Sequence, residues 1–165
     1  VVTDAATGDP IYYGKDMLAG GNFDVVKASC CVPGACRPYP VNGVPGFDGG
    51  VADPVPYKRS LAMGCDRLVV LLTRPAGYRR PLLEHRGMLE KALRDWPNAY
   101  SALLRRSARY NRDVAAVKEL EGKALLVAPA DIGGMSTLTR DKEAMERLYQ
   151  MGYEQGPRVL EFVNA

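Results

Sequence analysis

Apolar positions along this chain fall into short continuous runs and longer stripes at helical spacing, so strands and helices are expected to alternate. Val1 to Thr3 reads as the end of a strand. Thr7-Gly8-Asp9-Pro10 reads as a turn and Ile11-Tyr12-Tyr13 as the returning strand of a hairpin. Asp24 opens a short helix over Val25-Val26-Lys27-Ala28, which Pro33-Gly34 ends. Residues 33–54 are rich in Gly and Pro and predict a long ordered loop with one short strand near residues 44–47. Pro54 or Val55 starts a helix through Met63, stopped by Gly64. The run Arg67-Leu68-Val69-Val70-Leu71-Leu72 suits an internal parallel strand buried on both faces. Pro81 begins a helix with the stripe Leu82, Leu89, Leu93 and Trp96, and Pro97 ends it. A longer helix follows over residues 98–121, with Tyr100, Leu103, Leu104, Val114 and Val117 inward. Ala124-Leu125-Leu126-Val127-Ala128 reads as another buried strand. Thr139 or Asp141 caps a last helix that turns Met145, Leu148, Val159, Leu160 and Val163 inward, with an interruption at Gly152 or Gly156.

This order predicts an α/β fold of layered helix, sheet and helix. Three or four strands make a small sheet for so many helices. The expectation is therefore a partial sheet whose missing strands lie outside these residues, with an uncovered edge open to self-association.

The length of 165 residues fits one domain with a real core, and 47% hydrophobic and 25% charged residues are ordinary for a globular protein. The net charge of +3 is too small to argue for a nucleic-acid partner. Its distribution changes the picture. Residues 74–112 hold ten Lys/Arg (Arg74, Arg79, Arg80, Arg86, Lys91, Arg94, Arg105, Arg106, Arg109, Arg112) against three acids (Glu84, Glu90, Asp95). That segment reads either as a solvated face of two helices or as a surface for anionic headgroups. The four cysteines, Cys30, Cys31, Cys36 and Cys65, are too few and clustered for a disulfide scaffold. Cys31 and Cys36 are spaced C-x4-C, but no second pair completes a zinc site, and the single histidine, His85, is distant in sequence. Reduced, mostly buried thiols are expected, and with them a cytoplasmic protein, peripheral at most to the inner membrane face. No run of 18 apolar residues predicts a membrane span.

The candidate chemistry centres on Asp48-Gly49-Gly50. Two glycines after an acid let the backbone turn sharply and approach another element closely. A strand ending there presents a carboxylate at the sheet edge, where α/β sites form and where it could accept a proton from a serine hydroxyl. An ordinary Asp-Gly turn explains the same three residues.

The setting is more specific. Lys27-Ala28-Ser29-Cys30-Cys31-Val32-Pro33-Gly34 precedes Gly46-Phe47-Asp48-Gly49-Gly50-Val51-Ala52-Asp53-Pro54-Val55-Pro56. Leu61-Ala62-Met63-Gly64-Cys65-Asp66-Arg67 then leads into the run 68–72. This order resembles patatin-like phospholipases of bacteria, most specifically over residues 27–72. The late segment from Leu138-Thr139-Arg140 to Met151-Gly152 is similar to their C-terminal region. The resemblance implies one patatin-like domain, of which this chain is the C-terminal portion. Its parts would be an Asp-bearing catalytic part at 1–73, a basic helical pair at 74–122 and a last strand and helix at 123–165. It implies a lipid acyl hydrolase with a Ser-Asp dyad, Asp48 the dyad acid and Gly49 and Gly50 its active-site turn. The substrate would be a lipid or other acyl ester, and no metal or organic cofactor is implied. Cys30 and Cys31 stand where the family more usually has Ala or Ser.

The nucleophile elbow G-x-S-x-G is absent. None of the five serines, Ser29, Ser60, Ser101, Ser107 and Ser136, lies in it, and Gly134-Met135-Ser136-Thr137-Leu138 has only its first half. Gly20-Gly21 follows no buried strand, so it reads as a plain turn and not as an oxyanion loop. The resemblance places both elements upstream, so these 165 residues alone are expected to be inactive. His85 is read as a half-buried structural residue within a helix. Asp53 is read as the N-cap of the helix begun by Pro54, with a helper acid as its functional alternative. The rival class is a non-catalytic patatin-like regulatory or membrane-surface module using residues 74–112. A small-molecule site near Gly49-Gly50 is a third reading.

Overall fold

A computed structural model of the chain describes residues 1–136 and 139–165. In chain order its elements are β1 (Val2–Asp4), β2 (Pro10–Ile11), α1 (Asp24–Ser29), β3 (Tyr39–Val41), β4 (Val44–Asp48), α2 (Tyr57–Ala62), β5 (Leu68–Leu71), α3 (Arg86–Ala92), α4 (Pro97–Lys118), β6 (Ala124–Val127), α5 (Lys142–Tyr153) and α6 (Gly156–Asn164). Short 3-10 turns occupy Lys15–Gly21 and Gly49–Val51. The chain is thus mixed helix and sheet. It divides into two compact units, Val1–Pro56 with Arg80–Asp113, and Tyr57–Arg79 with Val114–Ala165.

The first unit is built on an antiparallel sheet in the order β2-β1-β4-β3. The expected hairpin is present, with Val2 opposite Ile11 and Thr3 opposite Pro10. β1 also pairs with β4, which sets Val2 against Asp48 and Thr3 against Phe47. The expected loop over 33–54 contains more than one strand. Asn42-Gly43 joins β3 to β4 with both residues at positive φ, 51° and 82°, as a two-residue type I′ hairpin demands. Phe47, 1% exposed, packs with Ala5, Val51, Leu93, Ala99, Ala102 and Leu103. Its ring meets Trp96 edge-on at 6.5 Å. Val2, Ala28 and Val41 form a second cluster.

Pro81 does not start a helix. Asn111 on α4 hydrogen-bonds both the Arg80 amide (2.8 Å) and the Arg80 carbonyl (3.1 Å), and the Ser107 hydroxyl donates to the Pro81 carbonyl at 2.6 Å. These bonds hold residues 80–81 extended, so α3 begins only at Arg86 and Leu82 is left 68% exposed. Pro97 opens α4 where it was expected to close a helix, because proline's missing N–H costs nothing at the first helical position.

The second unit holds β5 and β6, parallel and in register from Leu68 opposite Ala124 to Leu71 opposite Val127. The parallel pairing is as expected, but burial on both faces is not: Leu68 is buried, Val69 and Val70 are half-buried and Leu71 is 71% exposed. Among the described residues this sheet has two strands, so each has one neighbour there and neither is internal. α2 starts at Tyr57, later than expected, since Val55 precedes Pro56 and a residue before proline is held out of the α region. Asp141 caps α5 by accepting the Ala144 amide at 3.1 Å. The break at 154–155 separates α5 from α6 near the expected glycines. Their inward face differs from the expected one: Ala144 is buried and Leu148, Val159 and Phe162 are half-buried, whereas Met145, Leu160 and Val163 are exposed.

Candidate functional site at the Asp48 turn

Asp48 is the last residue of β4, so the carboxylate stands at the carboxyl end of an inner strand and not at the sheet edge. The backbone then closes into the Gly49–Val51 turn, and Asp48 Oδ1 accepts the Gly50 amide at 2.7 Å. Asp48 is half-buried. The Asp48 amide donates to the Cys31 carbonyl at 2.8 Å, tying the turn to the loop after α1. Thr3, fully buried, binds the turn from below. Its hydroxyl donates to the Asp48 carbonyl at 2.8 Å and accepts the Ala52 amide at 3.1 Å.

Gly49 is required by contact. A Cβ there would fall inside the van der Waals envelope of the Val1 carbonyl, 2.5 Å from its carbon. Because the obstacle is backbone in the adjoining strand, Gly49→Ala is expected to cost about 1–3 kcal/mol in urea unfolding, as overpacking of a closed site does. The Gly50 side differs. A Cβ there would stand 3.2 Å from Asp48 Oδ1 and 3.4 Å from Arg106 Nη2, so an α4 guanidinium flanks the same point as the carboxylate. In the sequence Arg106 stands out only as part of a charged segment, since nothing local links position 106 to position 50.

Thr3→Val keeps the shape of this buried residue but leaves the Ala52 amide without its acceptor. The expected loss is about 1–3 kcal/mol, with faster hydrogen exchange at Ala52. Unchanged exchange at that amide would contradict the role given to Thr3.

The other candidates fall elsewhere. Asp53 caps no helix, because α2 begins at Tyr57; its carboxylate instead accepts the Tyr12 hydroxyl. His85 lies outside the helix, at the cap position of α3, exposed and left-handed at φ 52°. Histidine is among the residue types that tolerate that conformation. Gly20 and Gly21, at φ 66° and 78°, form an exposed turn. The Ser29 hydroxyl donates to the Val1 carbonyl at 2.9 Å and the Ser107 hydroxyl to Pro81, so neither serves Asp48. The half-motif at Gly134 and the late similarity at Leu138 run into Thr137 and Leu138, which lie outside the described residues. The cysteines are free, but Cys30, Cys36 and Cys65 are exposed, not buried. Near α1, Asp24 accepts from Lys27 and Tyr39, and these two bonds hold its carboxyl below the usual range.

The second unit contributes an apolar cleft of about 470 Å³ at the carboxyl ends of β5 and β6, lined among others by Leu71, Leu72, Val127, Ala128, Leu148 and Met151. Cleft positions at strand carboxyl ends are where ligands sit in parallel α/β sheets. The apolar runs signalled these strands, but only the packing of α5 makes the cleft.

Among the described residues no helix is long and apolar enough to cross a membrane. No curated protein and no solved structure matches the chain. A family model described as a domain of unknown function, DUF6363, matches residues 96–165, a stretch that takes in α4, β6, α5 and α6 and begins beyond the Asp48 turn.

Proposed function

We propose that Asp48 is the acid of a Ser-Asp dyad in a patatin-like lipid acyl hydrolase, with the serine supplied by residues outside this chain. The observation that carries the reading is the construction of the Asp48 turn. A strand end, a cap bond to the Gly50 amide, a buried Thr3 beneath and a close approach at Gly49 hold one carboxylate in a single position. Such placement is what a general base needs, since its reach to the proton decides the rate before its basicity does. Arg106 brings positive charge to the same turn, which suits a phosphate-bearing ester. In this reading the layered patatin-type fold is completed by the missing residues, and the chain alone lacks the nucleophile. The test is ester hydrolysis by the protein that carries both the G-x-S-x-G serine and these residues, with Asp48→Asn as the variant. Full activity in the variant ends the reading.

A second reading, a membrane-surface module, is favoured by one feature of the first unit. Leu82 and Met88, each 68% exposed, stand among exposed Arg86, Lys91 and Arg94. Apolar side chains among cations suit an anionic interface, and a lipid hydrolase needs one as much as a regulatory module does. Binding to phosphatidylserine-containing vesicles is expected to weaken as salt rises from about 0.05 to about 0.5 M, where screening shortens to a few ångströms. Salt-insensitive binding, or none, removes this surface from the account.

A further inference from the structure

The unit built on β5 and β6 holds a cavity that the Asp48 turn does not use. Its cleft of about 470 Å³ has the size of a small-molecule site. One wall is made by the strand ends, Leu71 and Leu72 after β5 and Val127 and Ala128 after β6. The other is α5, where Leu148, Met151 and Gly152 share one face at helical spacing. Gly152 widens this wall, since a Cβ there would stand in open space with nothing within 4 Å. The body of the cleft is therefore apolar.

Its polar lining is Thr73, Glu154 and Gln155, and the one charged group among them is the exposed Glu154. Glu154, Met151 and Ala130 also line an adjoining hollow of about 500 Å³, whose charged lining is Asp131, Glu146 and Glu154 against Arg147. Three carboxylates to one guanidinium make this end of the cleft negative. The carboxyl end of α5 and the amino end of α6 meet at residues 154–155, so their opposite dipoles offset and the side chains set the sign.

We infer that the cleft binds a single-chain amphiphilic amine, its alkyl chain against Leu71, Val127, Leu148 and Met151 and its ammonium beside Glu154. The chain leaves water for an apolar wall, which is the driving force. The ammonium stays at an exposed rim, so it keeps its hydration while the carboxylates attract it. A carboxylate or phosphate head in the same place would face three like charges. This inference stands on the second unit alone, and is independent of whether Asp48 works in a hydrolase.

The experiment is titration of the chain at pH 7 with octylammonium, octanol and octanoate, read by calorimetry and by amide chemical shifts. Octylammonium is expected to bind about tenfold tighter than octanoate. It should tighten over butyl-, hexyl- and octylammonium by up to about fourfold per added methylene, the value for full burial. The amides of Leu72, Ala128, Met151 and Gly152 should shift. Glu154→Gln should weaken octylammonium about two- to fivefold, the range of an exposed ion pair, and leave octanol unchanged. Gly152→Leu should weaken all three about tenfold by taking the space of the chain. Leucine is the better helix former and meets no clash there, so the fold is kept. Octanoyl lysophosphatidylethanolamine, which carries a phosphate beside its amine, should bind more weakly than octylammonium. Tighter binding by the phospholipid or by octanoate overturns the inference. So does affinity indifferent to chain length or to Gly152→Leu, a set of shifts outside the cleft, or no binding at all.

Discussion

Asp48→Asn is expected to slow ester hydrolysis by the serine-bearing protein about 10²- to 10⁴-fold, the range that loss of a positioned general base produces. The substitution isolates basicity from structure. An asparagine Oδ1 accepts the Gly50 amide as the carboxylate does at 2.7 Å, so the cap on the Gly49–Val51 turn survives. The site is half-buried and the two side chains are nearly isosteric, so no cavity opens. The fall should appear in kcat, with KM little changed, because the base acts on the proton in flight and not on the resting substrate. Unfolding free energies of the two forms should agree within about 1 kcal/mol. Wild-type turnover at a retained fold would leave Asp48 as a structural turn residue.

Phe47→Ala is expected to destabilise the first unit by about 3–5 kcal/mol, the cost of removing a buried aromatic ring where the surroundings cannot collapse. Phe47 is 1% exposed and touches residues from three separate stretches of chain: Ala5 after β1, Val51 in the turn, and Leu93 to Leu103 around the start of α4. Collapse would have to move all three together. A loss of that size is a large share of the stability of an ordinary domain. Trp96 is the only tryptophan, and its ring meets Phe47 edge-on, so its fluorescence reports directly on this cluster. Urea unfolding followed at Trp96 should show the shift, and Phe47→Leu should recover most of it. A shift below about 1 kcal/mol would mean that this cluster does not anchor the unit.

Much of the local structure was legible because it rests on local chemistry. The first hairpin, α1, the strands at 68–71 and 124–127, and the Asp141 cap follow from turn residues, β-branched runs and capping side chains. The β3–β4 hairpin carried a strong signal in Asn42-Gly43, but Pro40 and Pro45 hid it by suggesting loop. These prolines face one another in the register. The errors elsewhere come from tertiary contact. Asn111 and Ser107 hold residues 80–81 out of a helix, and no local pattern announces that. Asp53 has the position of an N-cap, yet Tyr12 takes it. At the candidate site, the acid and its glycines were readable. Thr3 beneath and Arg106 alongside were not, since they arrive from 45 residues before Asp48 and 56 residues after Gly50.

The first unit also dictates an order of synthesis. Its sheet joins β1 to β4, and its main cluster is finished only by Leu93, Ala99, Ala102 and Leu103. As the chain leaves the ribosome, the first half of this core is therefore complete in sequence but has nothing to close over Phe47. A stretch longer than α3 must emerge before α4 can cover it. Contacts that distant in sequence make assembly slow and keep apolar surface exposed meanwhile. A product truncated before Leu93 would lack the residues that cover Phe47 and would present that face permanently.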